Sequence, residues 1–132
     1  MKALRGFSLL ELLIALVVAG LLASLAYPSY LNHVRNAQRV EVSALLMENA
    51  QRLERLYASS GRYDQGDVAG LHGQSPARGR AVYRLAVQRQ AQTFVLTAVA
   101  EAEGIMAADV CAAYSLNQAG QRTPADALCW RR

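Results

Sequence analysis

The first residues set up chemistry on the chain itself. Gly6 and Phe7 form a junction directly before an apolar run, behind a short leader that carries Lys2 and Arg5. An ordinary secretory signal is cut after its apolar stretch. A cut between Gly6 and Phe7 would instead remove the basic leader and leave the hydrophobic segment on the mature chain. It would also free an α-amine four residues before Glu11, the one carboxylate in the run from Phe7 to Tyr27. A carboxylate inside an apolar helix is costly and implies a partner or a function, unless it lies close enough to the membrane edge to stay hydrated.

Other chemistry-bearing residues are sparser. Cys111 and Cys129, 18 positions apart, admit one disulfide or a pair of buried free thiols. A chain whose N-terminus crosses a membrane places the rest in an oxidising exterior, which favours the disulfide. Arg78, Arg80, Arg84, Arg89, Arg122, Arg131 and Arg132 would form a phosphate-binding patch if they converge, with Tyr83 and Tyr114 as stacking surface. Scattered, they are solvated charges on a small head. His33 and His72 stand alone, with no cysteine or second histidine at ligand spacing. Asp64 and Asp67 flank Gly66 without the rest of a calcium loop, and Asp109 and Asp126 are the only acids near the C-terminal end. Neither metal nor cofactor is expected. No serine, histidine and acid arrangement has a nucleophile context, and no Gly-rich phosphate loop is present. The residues give no pattern expected of an enzyme.

The elements that position these residues follow from length and pattern. The 132 residues suffice for one domain plus appendages. Phe7 to Tyr27 matches the roughly 20 residues needed to cross a bilayer, and Lys2 and Arg5 mark its cytoplasmic side. Pro28 lacks a donor and should bend or loosen a continuing helix. Apolar positions then recur at Leu31, Val34, Val42, Leu45, Leu46, Leu53, Leu56 and Tyr57 as one stripe, with Arg35, Arg39, Glu48, Arg52 and Arg55 largely opposite. Ser59, Ser60 and Gly61 supply a stop. The pattern predicts a bent helix over Phe7–Ala58, about 80 Å long, a length suited to a filament subunit. Residues 61–79 read as a loop. Strands are expected at Ala81–Val87 and Thr93–Val99, joined by Gln88–Gln92, with a third at Ala113–Asn117. One face of the sheet should cover the helical stripe. Fourteen basic and ten acidic residues give +4; without Lys2 and Arg5 the balance is 12 against 10, or +2. That is too close to neutral for composition alone to indicate a nucleic-acid binder.

The segment Gly6-Phe7-Ser8-Leu9-Leu10-Glu11 resembles the class III leader of type IV prepilins and related pseudopilins. Gly20 within the apolar run and Tyr27-Pro28-Ser29-Tyr30 at its end continue the resemblance, which is strong over the first third of the chain and looser beyond it. It implies cleavage after Gly6 by a membrane aspartyl peptidase that also N-methylates Phe7. It implies pairing of Glu11 with the N-terminal amine of a neighbouring subunit during assembly, close helix contact or local melting at Gly20, and a kink at Pro28. Cys111 and Cys129 would close a C-terminal loop ending at Trp130. The implied fold is α+β: a long N-terminal helix, transmembrane then amphipathic, on a small antiparallel sheet, with a disulfide-closed loop at 111–129. The implied organisation is a leader at 1–6, a membrane and filament-core helix at 7–34, and a soluble head at 35–132. The implied partners are other pilin subunits, the prepilin peptidase and methyltransferase, and the inner-membrane assembly machinery. The implied path runs from the inner membrane, head in the periplasm, to an extracellular filament. A minor pilin is the expectation, because no second proline follows along the helix as in many major pilins. A DNA-binding competence pilin and a type II secretion pseudopilin are the alternatives.

Overall fold

The computed structural model describes residues 5–131, so Lys2 of the leader and Arg132 lie outside the described residues. Helix α1 runs Leu9–Ser60. The chain divides into two compact units, one ending at Val34 and the other beginning at Arg35.

In the first unit the helix begins two residues later than the expected Phe7, and the reason is local. The Ser8 amide donates to Glu11 Oε2 at 2.8 Å, and the Glu11 amide donates to Ser8 Oγ at 3.2 Å. This reciprocal pair is a capping box, which satisfies donors that the first turn would leave orphaned. Ser8 is the cap, and its carbonyl accepts the amide of Leu12. Gly6 and Phe7 precede the helix and are exposed. The helix continues through Pro28, in keeping with the expected continuing helix. The apolar side chains from Leu9 to Tyr30 are exposed, Leu9 at 76% and Leu25 at 74%. A helix this apolar on every side needs lipid or other helices around it. Its length and composition suffice to cross a membrane.

In the second unit α1 ends where expected. Gly61 takes a φ of 71° and its amide returns to the Tyr57 carbonyl at 2.7 Å, the left-handed cap that glycine accommodates without a Cβ clash. The sheet is an antiparallel meander in chain order, β1 Gln74–Ser75, β2 Tyr83–Arg89, β3 Phe94–Ala100, β4 Ala113–Asn117 and β5 Arg122–Thr123. The expected strands are present, two of them shifted by one or two residues, and two short edge strands are added. Alternation puts Tyr83, Leu85, Phe94, Leu96, Ala98, Tyr114 and Leu116 on the buried face. They share a core with Val42, Leu45, Leu46 and Leu53 of α1.

Arg39 corrects the helical-stripe reading. It stands on the buried side with Val42, Leu46, Asn49 and Leu53, its side chain 12% exposed. Its guanidinium is bidentate to Asp109, at 3.0 Å through Nε and 2.5 Å through Nη2. Besides Ser43, Asn49 is the polar residue buried on that side of α1. It exchanges both amide bonds with the His72 backbone, at 2.9 and 2.8 Å, and so ties the 61–79 loop to α1. Tyr63 from that loop is also buried, between Tyr57 and Phe94.

Candidate functional site

Three groups of residues bear on function. The first is the N-terminal set. Gly6 and Phe7 lie in exposed, non-helical chain next to the cap. The Glu11 carboxylate is engaged by its own Ser8 amide in the isolated subunit. Nothing lies within 4 Å of the Cβ that a side chain at Gly20 would add, so no contact inside the chain requires glycine there.

The second group closes the C-terminal loop. Cys111 and Cys129 form a disulfide, and both half-cystines are fully buried. The Tyr83 hydroxyl donates to the Cys111 carbonyl at 2.7 Å, and the Tyr114 hydroxyl donates to the Cys129 carbonyl at 3.0 Å. Both rings are buried. This corrects their reading as stacking surface: they position the loop from beneath. Asp109 accepts from the Cys111 amide at 3.0 Å as well as from Arg39, and this last hydrogen bond chiefly holds its carboxyl below the usual range. Trp130 packs edge-on against Tyr114 and donates from Nε1 to the Pro124 carbonyl at 2.8 Å.

Burial pushes the phenols of Tyr83 and Tyr114 up, and burial with a hydrogen bond to Glu54 pushes Tyr63 up to about 12. A raised phenol favours the fold fully below the ordinary tyrosine value of about 10 and loses that contribution as pH rises. A titration followed by phenolate absorbance should therefore show these three groups silent until the head unfolds in alkali. Smooth ionisation of all the tyrosines near pH 10 in a folded head would contradict their burial.

The third group is the arginines, which do not converge. Arg78, Arg80 and Arg84 lie in or beside the β1–β2 connection, while Arg89 ends β2 five positions after Arg84, about 17 Å along an extended strand. Arg122 is on β5, at the far edge of the sheet. Arg84 pairs with Glu101. Arg80 and Arg84 face Glu101 and Glu103 across a cavity of about 650 Å³, where the charges balance. Arg89 donates to the Tyr63 carbonyl at 2.9 Å. Arg131 is exposed and its carbonyl accepts from the Ser43 hydroxyl at 3.4 Å. Arg122 lies over the Trp130 ring, 5.1 Å from its centre. The sequence pattern did not single out Arg55, which shares a groove with Arg122. The signal available was Gln51 and Arg55, four apart on one helical face. Among the described residues, no cluster of three or more His, Cys, Asp and Glu side chains could hold a metal ion.

A long N-terminal helix with an exposed apolar first part, an antiparallel sheet and a disulfide-closed C-terminal loop define an α+β, pilin-like subunit. A family model described as type IV minor pilin ComP, DNA uptake sequence receptor, matches residues 28–115, and the prokaryotic N-terminal methylation motif matches residues 1–27. The chain therefore belongs to this family of type IV pilins. The type IV major pilin protein PilE1 of Neisseria gonorrhoeae is 29% identical over 104 residues, 76% of this chain and 46% of its own length. The fimbrial protein EcpC of Eikenella corrodens is 27% identical over 101 residues, 76% of this chain and 65% of its own. The chain spans about half the length of the curated relatives it matches. A type IV pilin structure from Shewanella oneidensis is similar at a TM-score of 0.56 and 25% identity, covering 74% of this chain and 98% of that one. The non-core minor pilin PilV of Neisseria meningitidis shares the fold at a TM-score of 0.53 and 22% identity, with 68% and 85% covered.

Proposed function

We propose that this chain is a minor subunit of a type IV pilus whose head binds double-stranded DNA at the cell surface for uptake. The observation that carries this reading is the match of residues 28–115 to a family described as a minor pilin and DNA uptake sequence receptor. The N-terminal features support the subunit part. The apolar helix holds the precursor in the inner membrane with the head in the periplasm. Prepilin peptidase cuts between Gly6 and Phe7 and methylates Phe7, and the assembly machinery draws the mature subunit into a filament among other pilins. Residues 7–34 then serve membrane and filament core, and 35–132 form the exposed head. Glu11 meets the amine of a neighbour's Phe7 as both leave water, where an unpaired charge is most costly. Gly20 and Pro28 mark the stretch of helix that adapts to filament packing.

The receptor part depends on local chemistry. With a mature charge near neutral, DNA affinity must come from a few arginines placed together and not from the field of the whole head. The test is binding of the full chain, held in detergent micelles, to short labelled duplexes of the host's genomic DNA across a salt series. Affinity that falls as salt rises is expected, with a linear double-logarithmic slope. No binding even at low salt would remove the receptor reading and leave a purely structural subunit.

A further inference from the structure

Five of the twelve arginines in the head are already held by the fold. Arg39, Arg52, Arg62 and Arg84 each pair with a carboxylate, and Arg89 is tied to a backbone carbonyl. A guanidinium matched to a carboxylate presents little net charge to a phosphate. Among the described residues, Arg55 makes no ion pair or side-chain hydrogen bond, and the Arg122 side chain makes none beyond its stacking on Trp130. These two line one groove of about 480 Å³. Arg55 enters from α1 and Arg122 from β5, with Met47, Phe94 and Leu116 among the apolar side chains between them.

The rest of the groove fits an anion. Its one acid, Glu54, accepts the Tyr63 hydroxyl at 3.0 Å, which leaves two guanidinium groups against one engaged carboxylate. Arg122 is steadied through its face by the indole ring, an attraction that uses none of its N–H donors. Trp130 is itself fixed by its bond to the Pro124 carbonyl. A planar fork with free donors, held in place from one side, suits a phosphate better than a mobile ammonium does. Gln118 accepts the Phe94 amide through Oε1 at 3.3 Å, and this keeps its amide group at the groove. The cavity beside Arg80 and Arg84 lacks this asymmetry, because Glu101 and Glu103 share it.

We propose that the groove between α1 and the β4–β5 turn holds the phosphate backbone of one DNA strand between Arg55 and Arg122. This assignment rests on the receptor reading above. Arg55 and Arg122 contribute charge-assisted hydrogen bonds to phosphate oxygens and release the counterions condensed there, which makes the contact dependent on salt and largely blind to sequence.

The test compares the full chain with its Arg55→Gln, Arg122→Gln double variant, in the same micelles and on the same duplexes. The variant is expected to bind about tenfold or more weakly near 0.1 M salt, with a salt slope reduced by about 1.8, since each phosphate contact contributes about 0.9. Arg55→Lys with Arg122→Lys keeps both charges, and should restore most of the slope while losing the planar fork. That rescue separates loss of phosphate contact from loss of fold. Should the glutamine pair bind DNA with unchanged affinity and slope, the groove is not the contact, though the receptor reading stands. The groove is likewise excluded if Arg78→Gln with Arg80→Gln removes the slope instead. If the unmodified chain binds no duplex at all, the receptor reading fails and takes the groove with it.

Discussion

Asp109→Ala is expected to destabilise the head by about 3–5 kcal/mol, the usual result of removing one partner from a buried ion pair. The cost arises from what is left behind. Arg39 sits on the core side of α1, its side chain 12% exposed and that of Asp109 only 6%. Without the carboxylate, a largely buried guanidinium keeps its hydrogen bond to Asn36 but has no counter-charge. The same change frees the Cys111 amide, which Asp109 accepts at 3.0 Å, so the entry to the disulfide loop loosens with the helix contact. A urea melt of the full chain in micelles measures the loss, and a shift under about 1 kcal/mol would mean that water reaches Arg39 and screens it. The double change Arg39→Met with Asp109→Leu should recover most of the deficit, because a well-packed apolar pair is often as stable as the buried ions it replaces. The pH dependence has a definite sign. Asp109 is held below its ordinary value near 3.8, chiefly by the Arg39 hydrogen bond. Its contribution is therefore complete above that value and is lost as pH falls through the lowered one. Near neutral pH the pair should give no pH dependence.

Arg39 also shows where the sequence ceases to be legible. Hydrophobic periodicity located Val42, Leu46 and Leu53 because burial repeats along a helix. It assigned Arg39 to the solvent face because charge is normally exposed. The partner that makes burial tolerable lies 70 positions away, beyond any local pattern. The strands follow the same division. Tyr83–Arg89 and Phe94–Ala100 alternate strongly enough to be read within two residues. Gln74–Ser75 and Arg122–Thr123 are too short to have a period, and exist because β2 and β4 offer edges for them to pair with. Tyr63 and Met106 reach the core from irregular chain, where no repeat announces them. The arginines were identifiable as residues, but their availability was not. Arg84 and Arg89 are engaged by groups that only the fold brings near, while Arg55 and Arg122 gain a common groove in the same way. The capping box is the opposite case. Ser8 and Glu11 have the spacing of that motif in plain view, and it was eclipsed by the more conspicuous cost of a carboxylate in an apolar run.

That double use of Glu11 makes Glu11→Gln the most discriminating change at the N-terminus. The variant is expected to be cut after Gly6 and to reach the membrane, yet to be depleted from filaments by about a hundredfold or more. In the isolated chain Glu11 Oε2 accepts the Ser8 amide at 2.8 Å. Glutamine at the third position of a capping box can accept the same bond, so the helix start and the presentation of Gly6 and Phe7 to the peptidase are retained. Charge is what disappears. In the assembly role proposed above, that charge meets the ammonium of a neighbour's Phe7 out of water, and an unpaired ion there costs several kcal/mol. Each 1.4 kcal/mol is about a factor of ten in incorporation, which sets the size of the expected defect. Quantitative mass spectrometry of sheared filaments, following the methylated peptide that begins at Phe7, reads it directly. The unmodified chain should give that peptide at a small fraction of the main subunit, as a minor pilin would. Normal incorporation of Glu11→Gln would confine Glu11 to the helix start. In that case Glu11→Ala, which loses the hydrogen bond as well as the charge, should show a defect that Glu11→Gln does not. If both are depleted alike, the common loss is the charge, and docking is its function.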